Sequence, residues 1–353
     1  MVGYLVLENG EIFEGDRIGS IKDTYFETVF NTSTTGYTEV FTDPAYYGQG
    51  IVMTYPVIGS FGVINEDFES NRIYASAVFV HDLSEFESNC RSTYSVEKWL
   101  RANNVPGLTN VDTRRLTKVL KENGTMNGYI TSNISNLSQL KKNISEYKIV
   151  NPIEKVSSQK VSVYGRGKSK RVVVIDYGFK HGLVNNLLKC NVEVVIFPAR
   201  ARISDILQVN PNAIVLSNGP GNPEDCKDEI KTLKDLCEED IPIFGIGLGH
   251  NLMALANGFK SAKLKCGHRG QNFPIKDLST GKIYMTSQNH GYHILEKSID
   301  TKIAKISYVD LNEGIVEGLD YVGKRIKTVQ FNPEACPGPE DMIYLFKDFI
   351  NKI

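Results

Sequence analysis

The sequence lacks the features that mark membrane-spanning, disulfide-rich and nucleic-acid-binding proteins. No apolar run approaches the ~18 residues that a membrane span needs. Its six cysteines are scattered without a CxxC pair, which indicates no disulfide framework. The formal net charge of −1 provides no attraction to nucleic acid or to an anionic membrane. The alternating start reaches Glu8 too soon for a secretory leader, so we expect a reduced, cytoplasmic protein with neither of those partners.

Two halves of different character divide the 353 residues. Up to about residue 150, short strand-like runs alternate with polar turns, and the segments 92–104 and 113–124 show helical periodicity. Beyond residue 171, nearly continuous apolar strands such as RVVVIDYG alternate with helices, a pattern typical of a parallel sheet covered on both faces. We therefore predict an α+β domain over 1–156, a Ser-, Gly- and Lys-rich linker over 157–170, and an α/β domain over 171–353 whose mostly parallel sheet is flanked by helices.

Two glycine-rich turns follow consecutive strands of the predicted sheet, SNGPGNP (217–223) and GIGLGHN (245–251). Because the carboxyl ends of parallel strands meet at one edge, we expect the two turns to lie together. The second has the spacing of a nucleophile elbow, Gly-x-nucleophile-x-Gly, yet Gly247 offers no side chain that could attack a substrate. Backbone N–H groups of the two turns, including that of Leu248, are suited to holding an oxyanion. Each turn taken alone is also an ordinary tight turn.

Two further polar segments follow predicted strands. SQNHGYHI (287–294) is predicted to be a polar turn that presents Asn289, His290 and Tyr292. FNPEACPGP (331–339) places Glu334 in a loop, where a lone carboxylate is usually just solvated.

Metal and nucleotide sites are not indicated by the local spacing. Cys266 with His268, and His290 with His293, fit no usual zinc pattern. GRGKS (165–169) ends like a phosphate-binding loop, but the first glycine of that motif would fall at a serine and no strand–loop–helix context surrounds it. We expect no metal and no cofactor in this chain.

Taken together, these segments resemble the glutaminase (small) subunit of carbamoyl-phosphate synthetase. VVVIDYGFK, LSNGPGNP, FGIGLGHNLMALANG, SQNHGY and NPEACPGP occur in the order of a class I glutamine amidotransferase domain. The first half makes the resemblance specific through FNTSTTGYTEVFTDPAYYGQGIVMTYPVIGSFG (30–62) and VDTRRLTKVLKENGTMNGYI (111–130), and KLKCGHRGQNFPIKD (263–277) is also characteristic. The resemblance covers essentially the whole chain.

The resemblance implies a catalytic triad of which this chain keeps one member. In that family a cysteine at the elbow attacks the amide carbon of glutamine, a histidine activates the cysteine, and a glutamate orients the histidine. The cysteine falls on Gly247, the histidine on Asn332 and the glutamate on Glu334. Ammonia then passes to a large subunit, which consumes bicarbonate and ATP and produces carbamoyl phosphate. ATP and magnesium are therefore expected on that partner.

The resemblance also implies a substrate pocket that is partly altered. Asn251 stands where the family has glutamine, Ala45 where it has a serine that contacts the substrate, and Asn222 where it has aspartate. The substrate- and oxyanion-binding positions that match the family are Gly219, Gly221, Leu248, Asn289, Gly291 and Tyr292. We therefore expect oxyanion contacts and weak glutamine binding, and we expect no triad chemistry.

Three functions stay open at this point. The first is a small subunit with an inactive glutaminase step, which serves as the structural or regulatory partner of an ammonia-using large subunit in pyrimidine or arginine synthesis. The second is a glutamine-hydrolysing subunit whose unrecognised nucleophile is Cys336 or Cys266. The third is a pseudoenzyme that binds a small ligand. Glycine at the elbow further predicts that the strain of a functional residue has been relieved, so that the chain is at least as stable as an active relative.

Overall fold

A computed structural model describes residues 1–353, which form two compact units, Met1–Val150 and Asn151–Ile353. This boundary differs from the predicted linker at 157–170. Residues 162–164 form a strand of the second unit's sheet, and the Ser158 amide donates to Asp176 Oδ2 at 2.6 Å. The segment has the composition of a linker, but backbone hydrogen bonds to its neighbours hold it in the second unit.

The first unit is built on a closed barrel of seven strands in the order β1-β2-β8-β6-β4-β3-β9, in which β9 pairs with β1. A small parallel pair, β5 and β7, lies outside the barrel. The strands are β1 (Val2–Leu7), β2 (Ile12–Gly19), β3 (Thr24–Asn31), β4 (Gln49–Met53), β5 (Val57–Ile58), β6 (Ala77–Phe79), β7 (Asp82–Leu83), β8 (Pro106–Thr109) and β9 (Met126–Thr131). The helices are α1 (Tyr37–Thr42), α2 (Val96–Ala102), α3 (Thr113–Asn123) and α4 (Leu137–Glu146). Both helices predicted from periodicity are present, and the α+β class of this half agrees with the prediction.

The second unit contains one ten-stranded sheet in the order β10-β12-β11-β13-β14-β19-β18-β16-β15-β17. Its strands are β10 (Ser162–Tyr164), β11 (Arg171–Asp176), β12 (Glu193–Pro198), β13 (Ala213–Leu216), β14 (Ile243–Ile246), β15 (Ser261–Asp277), β16 (Ile283–Ile294), β17 (Ala304–Asp310), β18 (Val316–Tyr321) and β19 (Ile326–Val329). Its helices are α5 (Pro152–Val156), α6 (His181–Lys189), α7 (Ile203–Gln208), α8 (Lys227–Leu236), α9 (Leu248–Ala256) and α10 (Tyr344–Asn351). No helix of the chain combines the length and the apolar character that crossing a membrane requires.

Five strands of this sheet, β12, β11, β13, β14 and β19, run parallel and are covered on both faces. Val173 and Ile175 of β11 pack into one apolar core, which also holds residues of α8 and α9. Val172 and Val174 pack into a second core together with residues of α6 and α10. Burial of alternate side chains on opposite faces explains why β11 is apolar throughout. The prediction of a sheet flanked by helices is confirmed.

The strands β15 to β18 extend the sheet in antiparallel fashion, which the sequence pattern did not predict. The segment 287–294, predicted as a polar turn, lies wholly inside β16 instead. There Asn289 is paired with Arg269 of β15, and His290 with His268. The polar side chains of β16 are compatible with a strand because polar residues of β15 face them across the ladder.

Candidate functional site

The elbow lies at Gly247, between the end of β14 and the start of α9. Its backbone has φ 56° and ψ −110°, a conformation that residues with a side chain rarely adopt. The Gly247 N–H donates to Val329 O at 2.9 Å, and the Asn251 N–H donates to Gly247 O at 3.2 Å. These bonds hold the turn between a neighbouring strand and the new helix. The backbone therefore has the conformation of a nucleophile elbow, and glycine supplies no side chain that could attack a substrate.

The space in front of Gly247 faces Asn218. An added Cβ at position 247 would lie 3.1 Å from Asn218 Cβ and 3.9 Å from Gln330 O, which demands a shift of a few tenths of an ångström. An added Cβ at Gly249 would instead lie 2.6 Å from both Cβ and O of Leu216. The space at position 247 thus accommodates a small side chain after a minor adjustment, although its backbone conformation stays strained for any residue other than glycine. Position 249 requires glycine because α9 packs directly on β13.

The turn at 217–223 lies beside the elbow, as predicted. Strands β13 and β14 are parallel neighbours with Leu216 opposite Gly245, and the Gly249 N–H donates to Ser217 O at 3.1 Å. Gly219 permits close backbone packing, since an added Cβ would lie 2.2 Å from Tyr177 O. Gly221 follows with φ 102°.

Asn332 and Glu334 lie in the loop after β19, and Asn218 links them. Asn218 Nδ2 donates to Glu334 Oε1 at 2.8 Å and lies 3.4 Å from Asn332 Oδ1. All three side chains are buried, Glu334 completely. Since Asn218 also borders the space in front of Gly247, the fold brings the three predicted triad positions around one buried amide.

Lys180 supports this loop from the N-terminal end of α6. Its Nζ donates to Ala335 O at 2.7 Å and lies 3.3 Å from Glu334 Oε1. Lys180 is 1% exposed and Glu334 0%, so the ion pair is shielded from water. Glu334 Oε2 has no hydrogen-bond partner, which leaves one acceptor of this carboxylate unused.

The three positions that differ from the family's pattern have local partners of their own. Asn251 is buried, and its Nδ2 lies 3.4 Å from Gly247 O, one helical turn back along α9. Asn222 Oδ1 accepts from the Glu224 N–H at 3.2 Å. Ala45 belongs to the first unit, where its N–H donates to Asp43 Oδ1 at 2.9 Å.

The remaining predicted positions lie at the start of α9 and on β16. Leu248 is the first residue of α9, and its side chain is buried. Asn289, Gly291 and Tyr292 follow one another along β16, where Tyr292 O lies 2.9 Å from His290 Nδ1. Their contact with a substrate stays a prediction.

His250 is the histidine closest to the elbow along the chain. Complete burial lowers its pKa to about 3, and its Nδ1 lies 2.8 Å from Thr328 Oγ1. A group with so low a pKa is a poor proton acceptor near neutral pH. His250 therefore lacks the basicity that a triad base needs.

The two cysteines considered as replacement nucleophiles lie on other segments. Cys336 follows Glu334 by two residues and has φ 52°. Cys266 lies in β15, where the register with β16 shifts between Lys263 and His268. Neither is on the elbow, where the helix N-terminus and the turn amides are placed to hold a negative charge.

Asn218 and Lys180 are the site residues that sequence reasoning missed. Both occur in segments that carry the family resemblance, LSNGPGNP and VVVIDYGFK. The available signal was a polar side chain placed directly after a buried parallel strand, at the edge where sites form. Only the tertiary structure shows which of those side chains contact Glu334.

Comparison with known proteins accounts for both halves of the chain. Residues 5–130 match the model of the carbamoyl-phosphate synthase small chain, CPSase domain, and residues 173–352 match that of class I glutamine amidotransferases. The carbamoyl phosphate synthase pyrimidine-specific small chain of Bacillus subtilis is 41% identical over 99% of this chain and 95% of its own. The small chain of Clostridium perfringens is 42% identical over 99% of both chains. That of Caldanaerobacter subterraneus is 44% identical over 99% of this chain and 96% of its own.

Solved structures add a more distant likeness. A glutamine amidotransferase from Thermotoga maritima covers 52% of this chain and 84% of its own, at 18% identity and a TM-score of 0.38, which is too remote to bear on the site. The full-length sequence matches decide the assignment: this chain belongs to the carbamoyl-phosphate synthase small chain family.

Proposed function

We propose that this chain is a small subunit of carbamoyl-phosphate synthase whose glutamine-hydrolysing site is inactive. It acts as the structural or regulatory partner of a large subunit that takes up free ammonia and binds ATP and magnesium. The observation that carries the proposal is the elbow at Gly247, whose backbone keeps the nucleophile geometry while the side chain is absent. Asn332 at the position of the base strengthens it. All six cysteines are free, which supports a reducing compartment such as the cytoplasm.

The expected loss of activity is large. Removing a triad nucleophile or its base lowers kcat by about 10⁶, and removing both costs little more because they act as a unit. An oxyanion hole alone leaves an acceleration of roughly 10³ to 10⁴ over water. The amide of Asn332 accepts no proton near neutral pH, and the imidazole of His250 is bound to Thr328 with a pKa of about 3. Glutamine is therefore not an adequate ammonia source through this site.

The pocket supports the same conclusion for substrate binding. Asn251 is one methylene shorter than the family's glutamine, and its Nδ2 lies against the carbonyl of Gly247. Glutamine binding through this side chain would require it to leave that contact. We infer at most weak affinity for glutamine.

The direct test is carbamoyl phosphate formation by this chain together with its cognate large chain. One reaction receives glutamine and the other ammonium, at equal ATP and bicarbonate. We expect product with ammonium only. A control with the Clostridium perfringens small chain and its own large chain establishes that the assay detects glutamine-driven synthesis. Glutamine-driven synthesis by this chain at a rate near that with ammonium would contradict the proposal.

Two further measurements separate the proposal from its rivals. Labelling of Cys336 or Cys266 by a thiol-directed glutamine analogue, located by mass spectrometry, would favour a replacement nucleophile. Tight glutamine binding in calorimetry, with no large chain recovered in a pull-down, would favour a ligand-binding pseudoenzyme. The proposal predicts neither result. The pathway served, pyrimidine or arginine synthesis, follows from the identity of the large chain recovered.

A further inference from the structure

Three ligand-type side chains converge inside the antiparallel part of the second unit's sheet. His268 lies on β15, His290 on β16 and Glu317 on β18, and all three are buried. One donor atom from each lies within 4.8 Å of the other two. His268 and His290 are cross-strand partners, and their rings stand edge to face at a centroid distance of 5.2 Å. The ends of the two imidazoles therefore approach each other beside a buried carboxylate.

Gln288 lies between the two histidines, and its orientation is set by its other neighbours. Thr286 Oγ1 donates to Phe273 O at 2.8 Å, so its proton is already engaged. Gln288 Nε2 then donates to Thr286 Oγ1 at 3.2 Å. The Gln288 Oε1 atom consequently faces the histidines and acts only as an acceptor. It lies 2.8 Å from His268 Nδ1 and 3.0 Å from His290 Nε2.

A neutral His290 ring cannot donate to all of the acceptors that surround it. His290 Nδ1 lies 2.9 Å from Tyr292 O and must donate to that carbonyl. A neutral imidazole has a single N–H, so its Nε2 then presents a lone pair. That lone pair faces two oxygens, Gln288 Oε1 at 3.0 Å and Glu317 Oε1 at 3.7 Å. Either a second proton or a bound cation must lie between these atoms.

The Glu317 side chain adds further unmet acceptors at the same point. The Glu317 carboxyl is fully buried, and neither of its oxygens has a hydrogen-bond partner. Asp310, also buried, adds a second acid near Glu317. A divalent cation would satisfy the imidazole lone pairs and the carboxylate together, which a single proton does not.

We propose that His268, His290 and Glu317 form a binding site for a divalent transition-metal ion of the zinc type, with Gln288 Oε1 as a fourth ligand. Imidazole and carboxylate donors suit zinc, which binds nitrogen and oxygen at about 2.0–2.2 Å in a tetrahedron. Ligand atoms in such a tetrahedron lie about 3.3–3.5 Å apart. The separation of His290 Nε2 and Glu317 Oε1, 3.7 Å, is close to that value. Small side-chain rotations bring in the remaining donors, which lie within 4.8 Å.

The surroundings have the second shell that a metal-bound histidine needs. A ligating histidine usually donates its other ring N–H to a carbonyl or carboxylate, which holds the ring in place. His290 Nδ1 meets this requirement through Tyr292 O. His268 is held by stacking on Phe273, at a centroid distance of 4.6 Å. The site is buried and closed, so its role is structural: the ion ties β15, β16 and β18 together.

Local spacing concealed this site. The pairs considered from the sequence were Cys266 with His268 and His290 with His293, which are close along the chain. The fold instead joins His268 to His290 across a strand pair and adds Glu317 from a third strand.

The test is metal binding by the full chain. Protein stripped with chelator is equilibrated with zinc alone, and bound metal is measured by mass spectrometry. We expect one equivalent, a higher thermal midpoint with zinc than with chelator, and a loss of affinity of about tenfold or more in Glu317→Gln and His268→Asn. His293→Asn, on the same strand as His290 but outside the cluster, is the matched control and is expected to bind zinc like the wild-type chain. Zinc binding that is equal in the wild-type chain and Glu317→Gln, or below one-tenth of an equivalent in the wild-type chain, would overturn the proposal.

Cobalt substitution keeps the test informative if a variant fails to fold. The wild-type chain loaded with Co²⁺ alone is expected to show the visible absorption of a nitrogen- and oxygen-ligated tetrahedral ion. An intense thiolate charge-transfer band would place the ion on a cysteine and overturn the assignment. These readouts are independent of glutamine and of the large subunit, so they stand or fall separately from the proposed function.

Discussion

Lys180 Nζ lies 3.3 Å from Glu334 Oε1, and both side chains are almost completely shielded from water. The same ammonium donates to Ala335 O, and Asn218 Nδ2 donates to the same carboxylate oxygen. Glu334 is thus held inside a network that contains no histidine. This network ties the loop after β19 to Asn218 and to Lys180 at the start of α6.

Removing one partner of this ion pair is predicted to destabilise the chain strongly. Removing the second partner as well is predicted to cost less than its removal alone. Lys180→Met leaves the Glu334 carboxylate buried without its cation, and such losses cost about 3–5 kcal/mol of unfolding free energy. Glu334→Gln leaves the Lys180 ammonium uncompensated for the same reason. The double variant is expected to lose less than the sum of the two single losses, because no unpaired charge remains. Urea unfolding of the four proteins measures this coupling, and strictly additive losses would contradict it.

A side chain at the elbow is predicted to destabilise the chain. Gly247→Ala forces an unfavourable backbone conformation, at a cost of about 1–3 kcal/mol, and brings Cβ within 3.1 Å of Asn218 Cβ. Gly258→Ala, just after the same helix at φ 87° with open space around it, is the matched control and should lose less. Gly249→Ala should lose more because of its 2.6 Å clash with Leu216. An unchanged or raised thermal midpoint for Gly247→Ala would refute the idea that glycine relieves strain here.

Rebuilding the triad is predicted to restore glutamine hydrolysis. Gly247→Cys supplies the nucleophile and Asn332→His the base, beside a Glu334 carboxylate whose Oε2 is still unused. Because the triad acts as a unit, each single variant should remain near background, whereas the double variant should gain several orders of magnitude in kcat. Ammonia release from glutamine is the readout.

The control for this gain moves the thiol elsewhere. Gly258→Cys with Asn332→His carries the same two side chains, but its cysteine lies at the far end of α9, and it should stay inactive. Adding Glu334→Gln to the rebuilt chain should lower kcat. If the rebuilt chain is folded yet no more active than this control, the assignment of positions 247 and 332 is incorrect.

Lengthening the side chain at position 251 is predicted to strengthen glutamine binding. In the rebuilt chain, Asn251→Gln restores the missing methylene and extends the amide beyond Gly247 O. We expect KM for glutamine to fall while kcat changes little, as for a contact made equally in the ground and transition states. A change confined to kcat would show that residue 251 acts on the elbow and not on the substrate.

Because of His250, the free energy of unfolding is predicted to fall as the pH drops below about 6.5. Its pKa is lowered from 6.5 to about 3 by burial, so the unfolded chain binds a proton in this range and the folded chain does not. Stability therefore rises with pH between about 3 and 6.5, by about 1.4 kcal/mol per unit, or about 2 kcal/mol between pH 5 and 6.5. His250→Gln should remove this part of the dependence. Urea unfolding of both proteins at pH 7 and pH 5 tests it, and identical pH dependence would contradict it.

The local sequence pattern was sufficient to predict the parallel strands of the second unit. Strands β11 to β14 are apolar because both faces are covered, so they stand out from the polar helices between them. It was insufficient for β16, where polar residues resemble a turn although β15 pairs with them. It was also insufficient for residues 157–170, where a linker-like composition includes strand β10, paired with β12.

The sequence by itself determined the family and the residue types at positions 247 and 332. Which side chain stands at a position is a covalent property, which folding does not change. Tertiary structure alone decided which groups meet: Lys180 with Glu334 through a loop and a helix terminus, and His268 with Glu317 across the intervening strand β16. Such contacts join residues far apart in the chain, and they depend on sheet pairing that no local spacing encodes.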